Sequence, residues 1–485
     1  MLFTGWSGDL PSDMYSGYLD IPGGKHLSYV AALSENDPAN DPVVFWFNGG
    51  PGCSSLGGFA TENGPFFIGK DTSGAYKLTQ RPERWNKKAN TVFVENPAGV
   101  GFSYADNAAG YIHNDTSTAK DNYNGVQAFF NKFPEWRSSS LFFTGESYAG
   151  IYIPTLAFQV VQGNKAGQPK INLQGIAVGN GCTGTEVGTC GKGGVKYNFE
   201  FLAGQGFLSP ELVSNIESSC TNWQSPSIAC QSNIVDMYAQ QGNFNVYDVY
   251  VDCGGVGGDD DKAPDASTRS WTVAEDSVVQ DFEQFLAKRF KYRPATDLEK
   301  KLLAAAWGRA MKEGSPLPSQ GRALAGLAGV PDGPCVAGST YTKYFNDATV
   351  RAAMHMATAA KIGAWTDCTN KITYTSTEPN EPRDIYPTLV QNMRVLVYNG
   401  AFDDCVPHTD DSAWTAQFAK DASAPVARGW QPWYVEGHLA GHSQYWNIGK
   451  GFAYTTVVAA GHLVPQYQPK FATALLEAVV SGSQL

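Results

Sequence analysis

The chain of 485 residues lacks several features that would assign it to a particular class of protein. It contains no run of 18 apolar residues, the length that a membrane-spanning helix needs, so we expect no membrane partner. It has no basic block, and 35 Lys and Arg against 46 Asp and Glu give a net charge of −11, which argues against a nucleic-acid partner. It has no Cys-x-x-Cys pair, which argues against a zinc ribbon and a thioredoxin-type redox motif.

What the chain does contain is nine cysteines, which are many for an enzyme of the reducing cytosol. We therefore expect an oxidising compartment. The triplet Asn114-Asp115-Thr116 permits glycosylation on a secretory route. The first residues show neither the charged nor the apolar region of a signal peptide, so we expect that such a peptide was removed or never existed.

Predicted strands and helices alternate over the first 180 residues. Apolar segments rich in β-branched and aromatic residues predict strands at 26–33, 42–48, 90–97, 140–147 and 171–181. An amphipathic helix that ends near Pro134 is predicted by apolar residues three and four apart, namely Tyr123, Val126, Phe130 and Phe133. Such alternation predicts an α/β fold, a mostly parallel sheet with helices on both faces.

The alternation breaks at about Cys182. Six of the nine cysteines follow between there and residue 339, together with an acidic glycine-rich run at 254–267 and a stretch of small residues at 314–329. We interpret this part as an inserted, disulfide-pinned lid with flexible segments. Predicted strands resume at 393–400 and 452–461. The predicted organisation is a first core part (1–181), an inserted cap (182–340) and a second core part (341–485).

The stretch "LFFTGESYAGIYIP" (141–154) places Ser147 in a predicted turn between a strand and a helix. A serine needs an exposed, constrained position and a nearby base to act as a nucleophile. The stretch matches the nucleophile-elbow pattern G-x-S-x-G except that Ala149 replaces the last glycine. The alternative is that Ser147 caps a helix that begins near Tyr148, a common use of serine.

A base and an orienting acid should follow Ser147 in the order Asp, His, each after a strand. His462 follows the strand at 452–461 and is the predicted base. Position alone does not exclude three histidines of other predicted late loops, His408, His438 and His442. Asp403 and Asp404 both follow the strand at 393–400, and the pattern does not choose between them.

Five motifs in chain order resemble those of the serine carboxypeptidase family and cover nearly the entire chain. They are "WFNGGPGCSS" (46–55), "GESYAGIYIP" (145–154), "VGNG" (178–181), the acidic loop at 398–404 and "GHLVPQYQP" (461–469). The resemblance implies an α/β-hydrolase fold with an inserted cap and no cofactor or metal ion. It implies release of C-terminal amino acids from peptides and proteins at acidic pH through an acyl-enzyme. It also implies a secreted or vacuolar/lysosomal protein that is a monomer or homodimer.

Carried over by motif, the resemblance assigns Ser147 as nucleophile, His462 as base and Asp403 as the orienting acid. It assigns the oxyanion hole to the backbone N–H groups of Gly50 and Tyr148, which can both aim donors at a developing negative charge.

The acidic loop departs from the family pattern. The family loop reads Gly-Asp-x-Asp, whereas residues 400–403 read Gly-Ala-Phe-Asp. The absent first acid puts the supporting hydrogen bonds of the loop in question.

The resemblance also implies a set that binds the free carboxylate of the substrate: Asn48, the Gly49 backbone, Glu62 and Glu146. Two carboxyls placed together cannot easily both ionise, so they share a proton. A protonated Glu146 can then donate a hydrogen bond to the substrate carboxylate, and we expect binding to weaken as pH rises. The alternative for Glu62 is an ordinary exposed acid beside the turn at 63–65.

A related enzyme activity and a non-catalytic binding function are the alternatives to the peptidase. Plant members of the family include acyltransferases and a hydroxynitrile lyase, but an ester donor without a carboxylate would not need Asn48, Glu62 and Glu146 together. A non-catalytic binding protein would not need Ser147 and His462.

The resemblance further implies specific disulfides. It pairs Cys53 with Cys368 and Cys253 with Cys335, and it leaves two local bridges among Cys182, Cys190, Cys220 and Cys230. Cys405 is then expected to be a free, buried thiol near the catalytic residues.

Overall fold

A computed structural model describes residues 4–242, 244–250 and 338–485, and a large mixed β-sheet organises them. The strands of this sheet and of two small two-stranded sheets are β1 (Met14–Ile21), β2 (Lys25–Ala32), β3 (Val43–Phe47), β4 (Phe66–Lys70), β5 (Tyr76–Gln80), β6 (Asn90–Val94), β7 (Tyr104–Ala105), β8 (Ile112–Asn114), β9 (Leu141–Glu146), β10 (Leu173–Gly179), β11 (Thr373–Thr375), β12 (Arg394–Gly400), β13 (Val426–Val435), β14 (His438–Trp446) and β15 (Phe452–Val457).

Neighbouring strands of the large sheet follow the order β1, β2, β6, β3, β9, β10, β12, β15, β14, β13, with β7 beside β2. The strands from β6 to β15 in this order run parallel, and the pairs at both edges run antiparallel. This confirms the predicted mostly parallel sheet. The strands β13 and β14 are not among those predicted from apolar segments. They form an edge hairpin with an exposed face, which lacks the continuous apolar run of a buried parallel strand.

Helices cover both faces of the sheet. Their bounds are α1 (Ser55–Thr61), α2 (Asp115–Lys132), α3 (Ala149–Lys165), α4 (Val195–Gly204), α5 (Pro210–Ser219), α6 (Ile228–Gln241), α7 (Gly338–Asn346), α8 (Ala348–Ala353), α9 (Ala359–Ile362), α10 (Glu381–Asp384), α11 (Tyr386–Asn392), α12 (His408–Asp421), α13 (Val464–Tyr467) and α14 (Pro469–Ser481). None of these helices is long and apolar enough to cross a membrane.

The alternation of side chains along the central strands builds two apolar layers. All five residues of β3 are buried, and Phe45 and Phe47 join the layer that includes residues of α2 and α3. Val44 and Trp46 join the opposite layer with residues of α1 and α14. Because α14 and β12 follow the break in the pattern, both chain halves close the same core.

The helices α4, α5 and α6 lie between β10 and β12 in chain order and share a third apolar cluster. The two local bridges are Cys182–Cys190 and Cys220–Cys230, and Cys53 pairs with Cys368, so all three predicted features are confirmed. The pair Cys253–Cys335 and the segments 254–267 and 314–329 lie outside the described residues. We retain 182–340 as the proposed limits of the cap.

Candidate active site

The candidate site lies at the carboxyl ends of four neighbouring parallel strands, β9, β10, β12 and β15, the edge at which open α/β sheets place their ligands. Ser147 follows β9 directly and Asn180 follows β10 directly. Asp403 lies three residues beyond β12, and His462 lies five residues beyond β15. The sheet therefore gathers residues that are far apart in the sequence.

The backbone at Ser147 has the geometry of an elbow rather than of a helix cap. Its φ is +62°, in the left-handed region that non-glycine residues rarely adopt. Its N–H donates to the Gly179 carbonyl (3.0 Å), and its own carbonyl accepts from the Cys182 N–H (3.1 Å). Helix α3 begins at Ala149 with Tyr148 as the N-cap residue, so the helix-cap interpretation of Ser147 is wrong.

Gly49 packs directly against this elbow. A Cβ atom on Gly49 would lie 2.3 Å from the Tyr148 amide nitrogen and 2.8 Å from the Ser147 Cβ atom. Only glycine can bring its backbone this close to the serine. The loop at 49–53 is thereby held beside the candidate nucleophile.

The structure distinguishes the two candidate acids. Asp403 is fully buried, and its Oδ2 accepts from His462 Nδ1 (2.7 Å), Asn180 Nδ2 (2.8 Å) and the Val406 N–H (3.1 Å). The Asp404 side chain instead accepts from Asn198 Nδ2 (3.1 Å) on α4. The geometry therefore favours Asp403 as the partner of the histidine.

The structure also distinguishes the histidines. His462 is buried, and its backbone N–H donates to the Tyr247 carbonyl (2.7 Å). His438 and His442 lie in β14 and His408 is the first residue of α12, so the expectation that all three occupy loops is wrong. Among the described histidines, only His462 forms a hydrogen bond with Asp403.

The hydroxyl of Ser147 and Nε2 of His462 form no hydrogen bond with each other within the described residues. Such bonds are often long in a free enzyme and tighten only when substrate binds. Of the two hydrogen bonds expected of His462, the one to Asp403 is therefore present among the described residues.

The acidic loop is supported by backbone groups in place of the absent acid. The Ala401 N–H donates to the Val457 carbonyl of β15 (2.9 Å). The N–H groups of Asp404 and Cys405 both donate to the Val246 carbonyl (2.9 and 3.0 Å). A segment that follows α6 thus braces the loop of Asp403. The side chain of Cys405 is half-buried, so its expected burial is wrong.

The predicted oxyanion donors are the residue directly after Ser147 and a residue of the loop whose Gly49 packs against the elbow. Tyr148 stands at the N-terminal end of α3, where helix N–H groups lack partners and the helix dipole is positive. Gly50 has a φ of +113°, which favours glycine. Within the described residues neither amide donates a hydrogen bond, so both can serve a ligand.

The predicted carboxylate-binding residues meet beside the elbow. Asn48 Nδ2 donates to Glu146 Oε1 (3.0 Å) and to Glu62 Oε1 (3.3 Å). Asn48 Oδ1 accepts from Trp46 Nε1 (2.8 Å), which fixes the orientation of the amide. Only 1% of Glu62 and 4% of Glu146 is exposed, so the interpretation of Glu62 as an ordinary exposed acid is wrong.

Burial favours the protonated form of both carboxyls. It raises the pKa of Glu62 to about 7, partly opposed by hydrogen bonds from Glu146 and Asn48. Burial and the neighbouring charge of Glu62 raise the pKa of Glu146 well above its usual range. The Oε2 atoms of both residues accept no hydrogen bond from a described donor, as expected for carboxyls that share a proton.

Asn180 is a further residue of the site that was not singled out from the sequence. It adopts a φ of +43° and joins two loops, because Nδ2 donates to Asp403 and Oδ1 accepts from the Gly400 N–H (3.0 Å). An asparagine between a strand and a glycine, as in "VGNG", is a signal for such a left-handed turn residue.

Comparisons with known proteins agree with this geometry. A family model described as serine carboxypeptidase matches residues 5–482. The chain is 32% identical to serine carboxypeptidase 1 of Hordeum vulgare, with 99% of this chain and 92% of the relative covered. It is also 32% identical to the lysosomal protective protein of Mus musculus, with 94% and 88% covered.

A solved structure supports the fold. The chain resembles Kex1(Δ)p, a prohormone-processing carboxypeptidase from Saccharomyces cerevisiae, with a TM-score of 0.63 and 17% identity over 97% of this chain and 92% of that one. The α/β-hydrolase fold predicted above is thereby confirmed. With the family model spanning almost all of its length, the chain belongs to the serine carboxypeptidase family and is a serine-type carboxypeptidase by that membership.

Proposed function

We propose that the protein releases C-terminal amino acids from peptides and proteins at acidic pH through an acyl-enzyme intermediate. The observation that carries this proposal is the Glu62–Glu146 pair, bridged by Asn48 directly beside Ser147. A hydrolase without preference for a free carboxylate has no use for a buried, proton-sharing pair at this point.

In the proposed reaction Ser147 Oγ attacks the carbonyl carbon of the last peptide bond and passes its proton to His462 Nε2. Asp403 accepts from His462 Nδ1, keeps the ring in the required tautomer and stabilises the imidazolium. The N–H groups of Gly50 and Tyr148 stabilise the oxyanion. His462 then protonates the departing amino group as the C–N bond breaks. Water, deprotonated by His462, hydrolyses the serine ester and restores the hydroxyl.

The substrate carboxylate is proposed to bind as an acceptor from protonated Glu146, from Asn48 Nδ2 and from the Gly49 N–H. As pH rises the pair loses its proton, so Glu146 ceases to donate and its negative charge repels the carboxylate. Burial raises the pKa of both neighbouring carboxyls, that of Glu62 to about 7, so the pair begins to lose protons, and the binding of a carboxylate begins to weaken, around neutrality.

The proposed setting follows from the same family membership. Three disulfides and the similarity to a lysosomal protective protein support a secreted or vacuolar/lysosomal location. The substrates are peptide and protein C-termini, and a monomer or homodimer remains the predicted state.

A peptide library with free or amidated C-termini tests the proposal. At pH 5 we expect release from free termini to exceed release from amides by about 100-fold, the value of a lost charged hydrogen bond. Ser147→Ala serves as the inactive control, and labelling by a fluorophosphonate should disappear with it. Equal turnover of both kinds of terminus would refute carboxylate recognition and favour an acyltransferase or esterase activity.

A further inference from the structure

Asp115 is a buried acceptor that contacts the residue directly after Ser147. It is the first residue of α2, and only 2% of it is exposed. Its Oδ1 accepts from the hydroxyls of Tyr148 (2.8 Å) and Tyr374 (2.9 Å). Its Oδ2 accepts from the N–H groups of Glu378 (2.6 Å) and Thr377. None of these contacts belongs to the reaction described above.

One of these donors is the residue that follows the nucleophile. Tyr148 supplies the backbone N–H proposed for the oxyanion hole, and its hydroxyl is anchored at Asp115 and at Ser376 Oγ (2.6 Å). Its ring packs edge-on against those of Tyr152 and Tyr374, with centroids 5.3 and 5.5 Å away. The side chain is therefore held at its polar end and along its ring.

The backbone around Tyr148 is also restrained by hydrogen bonds: the Ser147 carbonyl accepts from the N–H groups of Gly150 (2.9 Å) and Cys182 (3.1 Å), and the Tyr148 carbonyl accepts from the Ile151 N–H (2.9 Å). Tyr148 is the N-cap residue of α3, yet its side chain forms no capping hydrogen bond, and the preceding Ser147 has the strained φ of +62°. The Gly49 backbone approaches the Tyr148 amide from the other side. The bonds to the Ser147 carbonyl hold one side of the peptide that carries this N–H, and the anchored tyrosine side chain holds the Tyr148 Cα atom on its other side.

Burial and the negative charge of Asp115 raise the pKa of Tyr148 far above its usual value. The Tyr148 hydroxyl is therefore protonated, and able to donate to Asp115, at the acidic and neutral pH of the proposed reaction.

We infer that Asp115 is a positioning residue for the oxyanion hole: through the Tyr148 hydroxyl it fixes the peptide that follows Ser147 and aims the Tyr148 N–H. The inference rests on the proposed function, in which that N–H stabilises the oxyanion. The competing explanation is that Asp115 only stabilises the fold by tying α2 to the segment at 374–378.

The test compares the variants Asp115→Asn, Tyr148→Phe and their double variant, with active sites counted by fluorophosphonate labelling. A misdirected oxyanion donor should lower kcat for a blocked dipeptide by about 10-fold in each single variant, less than the 100-fold or more for a donor removed outright. KM should change by less than about twofold, since the carboxylate-binding residues are untouched. Both substitutions act on one link, which asparagine weakens and phenylalanine removes, so the double variant should lose about 10-fold and not about 100-fold.

Two matched controls separate positioning from stability. Tyr374→Phe removes another hydroxyl from Asp115 without touching the Ser147–Tyr148 peptide, and its kcat should stay within about twofold of wild type. Asp121→Asn replaces a second buried acid on α2, the partner of Lys25, and should also leave kcat unchanged.

The inference is overturned if Tyr374→Phe lowers kcat as much as Tyr148→Phe does. It is also overturned if the kcat losses of Asp115→Asn and Tyr148→Phe multiply in the double variant. If Asp115→Asn does not fold, the difference in kcat between Tyr148→Phe and Tyr374→Phe still tests the inference. A wild-type protein that releases amino acids while Tyr148→Phe keeps full kcat refutes the inference and leaves the proposed function intact. A wild type that neither labels nor releases amino acids refutes both.

Discussion

Two pairs of buried carboxyls in this protein invite comparison: Glu62–Glu146 beside Ser147, and Asp410–Asp411 in the first turn of α12. All four side chains are buried, and burial raises the pKa of each. They differ in their donors. The described donor to the glutamates from outside the pair is the amide of Asn48, which leaves both Oε2 atoms without an outside donor.

The aspartates are tied to fixed groups of the fold. Asp411 accepts from Asn399 Nδ2 (2.8 Å), Trp414 Nε1 (2.5 Å) and the Gly181 N–H (3.3 Å). Asp410 accepts from the Thr189 N–H (2.5 Å). These donors come from β12, α12 and the segment that follows β10 (Gly181 and Thr189), so the pair joins three parts of the chain. Similar burial therefore has different uses: the donors to the aspartates tie parts of the fold together, although Asp410 Oδ1 also lacks a described donor, and the glutamates lie beside Ser147, where the proposed substrate carboxylate binds.

Asp411→Ala should give the largest effect and bear on stability alone. It removes the acceptor of three buried donors, of which Asn399 Nδ2 keeps a long hydrogen bond to the Val406 carbonyl (3.4 Å), so we expect the free energy of unfolding to fall by about 3–5 kcal/mol. Urea denaturation at pH 5 measures this loss. The kcat/KM per labelled active site should stay within about fivefold of wild type, because no substrate contact changes. If Asp411→Ala lowered kcat/KM without lowering the free energy of unfolding, the aspartate pair would not differ from the glutamate pair in its role.

Glu146→Ala should give the reverse pattern. Loss of a hydrogen bond to a charged group costs about 1.5–3 kcal/mol, so kcat/KM for a blocked dipeptide at pH 5 should fall about 30-fold, with little change for its amide. Stability should fall by less than in Asp411→Ala, because Asn48 keeps Glu62 as an acceptor.

The isosteric variant Glu146→Gln sharpens this test. Its amide donates at every pH, so kcat/KM should persist above pH 7, where the wild type declines as its carboxyl pair loses the shared proton. A decline identical to that of the wild type would show that another group controls the pH dependence.

Neither pair of carboxyls can be recognised from a local sequence pattern alone. Glu62 and Glu146 come from the resemblance, since 84 residues separate them and no local pattern connects them. Asp410 and Asp411 are adjacent, yet a pair of acids in the first turn of a helix is the usual exposed pattern that favours the dipole. Only the packing of the loop at 182–190 over them reveals their burial.

Long-range contacts set similar limits on the catalytic residues. Strand and loop order predict that Ser147 and His462 share one edge of the sheet. The choice of Asp403 over Asp404 depends on where neighbouring side chains point, since Asn180 and Asn198 each accommodate one acid. The support of the acidic loop by Val246 is a backbone contact without any sequence signal.

Asp410→Asn should give the smallest effect, a change in how stability depends on pH. Burial raises the pKa of Asp410 from 3.8 to about 7, so between these values the folded protein holds a proton that the unfolded chain releases. The stabilisation is complete below pH 4 and is lost as pH rises through about 7. Asparagine does not titrate, so the slope of unfolding free energy against pH should become shallower by up to about 1.4 kcal/mol per unit.

Urea denaturation at pH 4.5, 5.5 and 6.5 measures this slope. Glu62→Gln is the matched control, because its buried carboxyl contributes a slope of the same sign from the other pair. The two variants should differ in activity: Asp410→Asn should keep the pH profile of kcat/KM, and Glu62→Gln should shift it. If both variants change the activity profile alike, the aspartate pair is linked to the substrate site and the division between structural and ligand-binding carboxyls does not hold.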